Sequence, residues 1–344
     1  MSLEGVGTGA GPPAWAPAAT PEELRSALAE HGYLADLGLA TAVFLAIVLR
    51  RPLLLEGAAG VGKTEVGKAL ARWTGARLIR LQCYEGIDVS QAVYEWDYSR
   101  QLLHLRAAEA RGSLSGEGVR PDVEDELYSE RFLVRRPLLA AIAPGAPAGA
   151  ARVGSSAEAA RAGAPPVPPV LLVDEVDRAD DEFEAFLLEI LSDYSVTVPE
   201  LGTFTADDPP LVVITSNRTR DVHDALKRRC LYHWVEHPGF EREVAIVELR
   251  APGVGDTLAR QVAAAVGELR SMGMYKPPGV AETIVWAEAL AALGAGDLNA
   301  ANVEATLGTV LKYREDAERL RKAGIDDLVR SAVLRSGSAT NMDP

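Results

Sequence analysis

The chain has 344 residues, 48% of them hydrophobic and 24% charged, and its 49 acidic against 35 basic side chains leave a formal charge of −14. That length can bury one large core or two modest ones, and the composition is ordinary for a soluble globular protein. The acidity argues against a general polyanion binder, which needs a basic face or tail, and is read instead as keeping the protein soluble. Cys83 and Cys230 stand far apart without CxxC spacing, and the histidines show no ligand spacing. Neither a disulfide framework nor a zinc site is expected, and the compartment is read as reducing. The opening MSLEGVGTGAGPPAWAPAAT lacks the basic head and apolar core of a signal peptide. The longest apolar stretch, about 34–49, contains Asp36 and stops short of membrane-spanning length. A cytoplasmic protein without a membrane partner is the expectation.

Residues 1–19, rich in Gly, Ala and Pro, are expected to form a disordered leader. Thr20-Pro21-Glu22-Glu23 then has the signature of a helix start: a capping threonine, proline at the first helical position and glutamate three residues on. Helical runs are expected over about 21–31 and 34–49, and Leu53-Leu54-Leu55 reads as a short strand before a glycine-rich turn. EVGKALARW is helical and RLIRLQC is the next strand, a rhythm that points to an α/β fold with a parallel sheet and crossover helices. The region 85–143 mixes helix with the polar stretch RGSLSGEGVRPDVEDE, and 144–169 reads as a flexible surface insertion of low complexity. VLLVDEV and LVVITSN are two further buried strands. Between them lie the helix DEFEAFLLEILSDY and the segment VTVPELGTFTA, which alternates around Pro199-Glu200-Leu201-Gly202 like a hairpin. From about 240 to 335 the pattern is helical, broken at Pro252-Gly253, Pro277-Pro278-Gly279 and Gly294-Ala295-Gly296. The expected division is a leader 1–19, an α/β nucleotide-binding domain 20–239, a helical lid domain 240–335 and a disordered tail 336–344.

GAAGVGKT matches GxxxxGK[ST] after an apolar strand and before a helix. The glycines let consecutive backbone N–H groups close around a polyphosphate, and the helix N-terminus adds its dipole. The nucleotide-binding residues are therefore Gly57, Ala58, Ala59, Gly60, Val61, Gly62, Lys63, Thr64 and the adjoining Glu65. Lys63 would reach the β- and γ-phosphates and Thr64 would ligate Mg²⁺; the competing reading is a chance glycine-rich turn. VLLVDE ends a buried strand in adjacent acids, which is costly unless the charge is compensated. Asp174 is read as holding the metal shell and Glu175 as polarising the attacking water, against the alternative that both are solvated helix caps. Asn217, at the end of LVVITSN, either orients a water or a γ-phosphate oxygen or simply terminates the strand.

Taken in order, these motifs resemble the AAA+ ATPases, a P-loop core with a C-terminal all-helical lid, and among them the MoxR family. The likeness covers about 20–330 and is nearest the CoxD type. It rests on LLLEGAAGVGKTEVGKALA, DEVDRADDEFEAFLLEILSD and TSNRTRDVHDALKRRCLYHW, with LQCYEGID, YEWDYSRQLL, RFLVRRPLL, VTVPELGTF and AETIVWAEAL in support. The resemblance implies ATP and Mg²⁺ as ligands, hydrolysis of ATP, and a ring, usually a hexamer, with each site between subunits. It makes Gly57–Thr64 Walker A, Asp174 and Glu175 Walker B, and Asn217 sensor 1. The arginine finger reaching the neighbour's γ-phosphate falls on Arg229, with Arg228 as alternative or helper. It further implies a hairpin at VTVPELGTF, an insertion within 84–104 and chaperone-like remodelling of a client protein. The partner implied is a von Willebrand factor A domain protein, and the CoxD type resembles factors that mature a metalloenzyme. Arg178 is either a residue acting across the subunit interface or one half of a surface ion pair. One departure from the family's sensor 2 arginine stands out: SMGMYKPPGVAETIVW carries Lys276 but no arginine after Met272, so either Lys276 substitutes for it or the lid's coupling to the γ-phosphate is weakened. Trp73, Trp96, Trp234 and Trp286 are read as packing residues, because no basic stripe accompanies them. Tyr84 is read as touching a substrate or as packing. Two rival classes are a nucleic-acid-remodelling motor, which would want a basic channel, and a nucleotide-binding scaffold with little turnover.

Overall fold

The computed structural model describes residues 13, 15–110, 126–143 and 167–338. Residues 1–12 and 14 of the expected leader, 111–125 of the polar stretch, 144–166 of the insertion and 339–344 of the tail lie outside the described residues. The elements begin with α1 (Pro21–Glu30), α2 (Leu37–Leu49), β1 (Leu53–Glu56), α3 (Lys63–Thr74), β2 (Leu78–Gln82), α4 (Val89–Ala92), β3 (Tyr94–Trp96) and α5 (Tyr98–Ala110). They continue with β4 (Leu133–Arg135), α6 (Pro137–Ile142), β5 (Val170–Asp174), α7 (Asp181–Asp193), β6 (Ser195–Val198), β7 (Gly202–Thr205), β8 (Leu211–Ser216), α8 (Asp224–Arg229) and β9 (Leu231–Trp234). Six helices follow: α9 (Phe240–Arg250), α10 (Asp256–Ser271), α11 (Val280–Ala292), α12 (Ala300–Val310), α13 (Arg314–Ala323) and α14 (Ile325–Ser338). The chain falls into two compact units, one of Met1–Ala27, Leu37–Glu56 and Val66–His233, the other of Leu28–Asp36, Gly57–Glu65 and Trp234–Pro344.

The first unit is organised on a five-stranded parallel sheet in the order β2-β5-β8-β1-β9. Every residue of β1, β5 and β8 is buried, as expected for parallel strands covered on both faces. At the edge, β2 alternates buried Ile79 and Leu81 with exposed Arg80 and Gln82. Register is parallel throughout the centre, with Leu172 opposite Arg80 on one side and opposite Val213 on the other. The core around the sheet takes Leu54, Leu171 and Ile214 from the strands and Phe183, Leu187 and Ile190 from α7, each such burial contributing roughly 1.5–3 kcal/mol. Thr20 caps α1 by accepting from Glu23 N (3.2 Å), while Glu23 Oε2 accepts from Ala19 N (2.7 Å). Ala16 and Ala18, just before that start, are buried.

The hairpin at VTVPELGTF is present: β6 and β7 pair antiparallel with Thr197 opposite Thr203, their hydroxyls 2.9 Å apart. Within 84–104 the structure places the short helix α4, with a capping box from Asp88 and Gln91, then β3, which pairs antiparallel with β4. That pair was not foreseen, because each partner is three residues long and the two are separated by a distant stretch of sequence.

The second unit is helical apart from its loops. α10 lies at its centre, packed by α9, α11 and α14, and its small Ala263, Ala264 and Ala265 allow close approach. Trp286 of α11 is fully buried and donates its indole N–H to Thr306 Oγ1 at 2.8 Å, the satisfied packing role expected of it. Trp96 is likewise buried, whereas Trp234 keeps 40% of its surface exposed and is only partly a packing residue. No helix among the described residues is long and apolar enough to cross a membrane.

Candidate functional site

In the first unit β5, β8 and β1 lie side by side and end in Asp174, Ser216 and Glu56. Ligands of open α/β sheets bind beyond such carboxyl ends. Asp174 is only 2% exposed. Its Oδ1 accepts from Thr215 Oγ1 at 2.5 Å, and its Oδ2 accepts from Arg80 Nε at 3.1 Å and Nη2 at 2.5 Å. Thr215 Oγ1 in turn accepts from Glu175 N at 3.0 Å. Glu175 adopts φ 57°, ψ 51°, a left-handed conformation that costs a non-glycine residue about 1–2 kcal/mol. Adjacent acids thus part company: Asp174 stays buried, while the Glu175 side chain is 34% exposed, 3.2 Å from Arg178 Nε. Arg178 is therefore half of an ion pair within this chain.

Asp177 and Glu184, which the sequence reading passed over, fix the loop that follows β8. Asp177 accepts from Asn217 N (3.1 Å), Thr219 N (2.8 Å) and Thr219 Oγ1 (2.6 Å). Burial alone would raise its pKa, but the bonds from Thr219 and Asn217 outweigh it and hold the carboxyl below its usual range. Glu184, 1% exposed, accepts from Arg220 Nη2 and from His223 N at 2.8 Å. His223 is the N-cap of α8, so this acid sets the helix that carries the basic run. Along that run the three cations differ. Lys227 Nζ lies 3.9 Å from Glu56 Oε1, whereas the Arg228 and Arg229 side chains are exposed and make no hydrogen bond or ion pair to any described residue. Cys230 ends the helix buried, its thiol pushed up to about 12 by burial. The Cys83 thiol also rises to about 12, through burial and then the nearby charges of Asp174, Asp177, Glu184 and Glu175. Neither thiol is nucleophilic at neutral pH.

The second unit holds the glycine-rich loop. Gly57 (φ 158°), Gly60 (φ 81°) and Gly62 (φ 94°) all take positive φ, and a Cβ on Gly57 would sit 2.3 Å from Val235 O. Only glycine fits there. Ala58, Ala59 and Gly60 form the exposed rim, and Val61 is buried beneath it. Lys63, 5% exposed, lays its ammonium against Gly57 O (2.8 Å) and Ala58 O (2.7 Å). Thr64 and Glu65 are half-buried in the first turn of α3, with Glu65 3.8 Å from Arg250. Positive-φ glycines at a helix N-terminus are what an anion-binding nest of N–H groups requires, so the loop fits a polyphosphate. The hydroxyl that Thr64 carries in the second unit and the carboxylate that Asp174 carries in the first are each a hard oxygen donor of the kind Mg²⁺ takes.

This loop also meets α11. Val280 N donates to Gly60 O at 2.8 Å, and a Cβ on Gly279 would lie 2.7 Å from Gly60 Cα. Arg270 prepares that meeting: it donates to Pro278 O (2.8 Å) and pairs through both Nη atoms with Glu243 (2.5 and 2.7 Å). Lys276, by contrast, is exposed, its backbone N–H held by Asp316 at 3.0 Å. Nearby, His237 Nδ1 is buried without a hydrogen-bond partner. Burial, helped by Arg270 and Lys63, lowers the His237 pKa to about 4 and keeps the ring neutral. Tyr84 is partly exposed and bonds Gln91 Oε1 at 2.5 Å.

A parallel sheet with a glycine-rich loop between β1 and α3 and paired acids ending β5 defines the P-loop nucleotide-binding class. Within it, residues 53–235, over half of the chain, match the ATPase family associated with various cellular activities (AAA), and the chain belongs to that family. Members of this family generally bind ATP with Mg²⁺ and commonly assemble into rings. Among solved structures, the RuvB Holliday junction branch migration motor of Thermotoga maritima is similar at 14% identity and TM-score 0.40, over 85% of this chain and 72% of that one. A point mutant of the same RuvB gives 14% identity and TM-score 0.43 over the same shares. No curated protein matches the chain.

Proposed function

We propose that this chain hydrolyses ATP as a subunit of a MoxR-type ring and uses the cycle to remodel a client protein. The observation that carries the reading is the division of labour at the end of β5. Asp174 is buried and hydrogen-bonded, as a metal-holding carboxylate should be, while a left-handed backbone turns Glu175 outward, as a base for water should be. Thr64 and Asp174 would hold Mg²⁺, which neutralises phosphate charge when bound. Lys63 and the loop Gly57–Thr64 would bind the phosphates, with Glu65 in the adjoining turn, and Asn217 would orient the water or the γ-phosphate. Exposed and without a partner among the described residues, Arg229 with Arg228 beside it suits a finger offered to the neighbouring subunit's ATP. The MoxR and CoxD-like assignment, the hexamer and the von Willebrand factor A domain partner rest on the quoted motifs.

The test is Glu175→Gln. Binding of a fluorescent ATP analogue should survive while turnover falls about 10²–10³-fold; the same negligible turnover in both proteins would leave the scaffold reading standing, and equal, substantial turnover would sink Glu175 as the base. Arg229→Ala should likewise bind ATP and lose turnover, with activity regained on mixing it with Lys63→Ala subunits. Stimulation by DNA rather than by a von Willebrand factor A domain protein would favour the nucleic-acid motor.

A further inference from the structure

Four carboxylates lie near enough to Cys83 to raise its pKa: Asp174 and Glu175 at the end of β5, Asp177 in the turn after it, and Glu184 on α7. Asp177 is satisfied by N–H and O–H donors alone. Each of the others has its own arginine: Glu175 has Arg178, Glu184 has Arg220, and Asp174 has Arg80. Arg80 differs from the other two in what it holds, because its partner is the proposed metal ligand. Both of its contacts converge on a single oxygen, Oδ2, while Oδ1 accepts from Thr215. β2 is an edge strand, and the Arg80 side chain is 48% exposed although its partner is buried. Gln82, two residues on and so on the same face of β2, accepts from Arg80 Nη2 at 2.5 Å. The arginine therefore has a foothold outside the pair and open solvent to move into.

A buried carboxylate is costly without a countercharge, and removing one partner of such a pair is worse than never having built it. A divalent cation and a guanidinium, however, need not share the same oxygen. We propose that Arg80 is the resident countercharge of Asp174, occupying Oδ2 until a metal–nucleotide complex binds and then retreating toward Gln82 and solvent. This rests on reading Asp174 as the Mg²⁺ ligand. Arg80 is accordingly a positioning residue: it holds the carboxylate paired and oriented before metal binds, and it competes with the metal for one oxygen. Metal affinity is set by the exchange of one cation for another rather than by the bare charge of Asp174.

The experiment uses the full chain with Mn²⁺ as the probe, titrated by electron paramagnetic resonance in the presence of a non-hydrolysable ATP analogue, alongside thermal melting in chelator. Arg80→Gln should melt below wild type in chelator, yet bind Mn²⁺ at a midpoint about fivefold lower, the effect of one half-exposed ion pair. Arg80→Lys, which keeps the charge but loses the two-pronged contact, should fall between the two and serves if the glutamine variant does not fold. A Mn²⁺ midpoint that is unchanged or higher in both variants overturns the competition. Asp174→Asn distinguishes the two layers of the argument. If it binds Mn²⁺ as tightly as wild type, Asp174 is not the ligand and the underlying reading fails; if it binds weakly, only the Arg80 results decide.

Discussion

Replacing Gly279 by alanine tests whether the contact between α11 and the glycine-rich loop is specific. Gly279 has φ −84°, which alanine adopts freely, so the effect is steric alone. The added Cβ would lie 2.7 Å from Gly60 Cα and 2.9 Å from both Gly60 O and Glu282 Oε2. Carbon atoms rest about 3.5–4.0 Å apart, so the helix start must retreat by about 1 Å. That retreat stretches the 2.8 Å bond from Val280 N to Gly60 O beyond hydrogen-bonding range. A lost bond at about 0.5–1.5 kcal/mol, added to overpacking at about 1–3 kcal/mol, gives a destabilisation of about 1.5–4.5 kcal/mol. Gly267→Ala is the control, since Gly267 lies exposed within α10 with nothing within 4 Å of its added Cβ. It should instead gain about 0.5–1 kcal/mol from helix propensity. Denaturant unfolding followed by circular dichroism reads both, and titration with a fluorescent ATP analogue should show weaker binding only for Gly279→Ala. Equal shifts in the same direction, or an unchanged Gly279→Ala, would refute the close-contact argument.

Two further outcomes follow from the helical unit. Arg270→Ala strands the carboxylate of Glu243, itself 2% exposed, and should cost about 3–5 kcal/mol by the same unfolding assay, whereas Glu243→Gln with Arg270→Met together should cost much less. His237 supplies a pH dependence: folded it resists protonation down to about pH 4, while unfolded it takes a proton near 6.5. Below 6.5 the unfolded chain therefore binds more protons, so this residue's contribution is fully present above 6.5 and lost as pH falls toward 4. His237→Gln should flatten the fall in melting temperature across that window, and parallel profiles for the two proteins would count against it.

What could be read from the sequence was what is encoded locally. The unbroken apolar runs of β5 and β8 declare strands buried on both faces, and Gly57–Thr64 declares its loop because few other chemistries need that spacing. The turn at Pro199–Gly202 likewise announces β6 and β7. Illegible were the contacts that depend on sheet register or on helix docking. Arg80 reaches Asp174 across 94 positions only because β2 and β5 align in parallel, and nothing in RLIRLQC signals an ion pair. Asp177 and Glu184 looked like two more acids in an acid-rich segment, although both are buried and organise the loop after β8. The meeting of Gly60 with Gly279 joins two glycines that sequence reading explains separately, one as a phosphate-loop residue and one as a helix breaker. Ala16 and Ala18 were hidden by a composition whose small residues pack without any periodic signature.

The brace on α8 has a mechanical consequence. Its six residues make a rod about 9 Å long, held at one end where Glu184 grips the backbone of His223 and bearing Arg229 at the other. On a lever of that length a tilt of about 10° at the fulcrum displaces the tip by about 1.5 Å, well beyond the roughly 0.5 Å tolerance of the catalytic group we propose Arg229 to be. Angular slack at a buried glutamate is thus converted into positional error at an exposed arginine, and the accuracy of that arginine is decided at the opposite end of its helix.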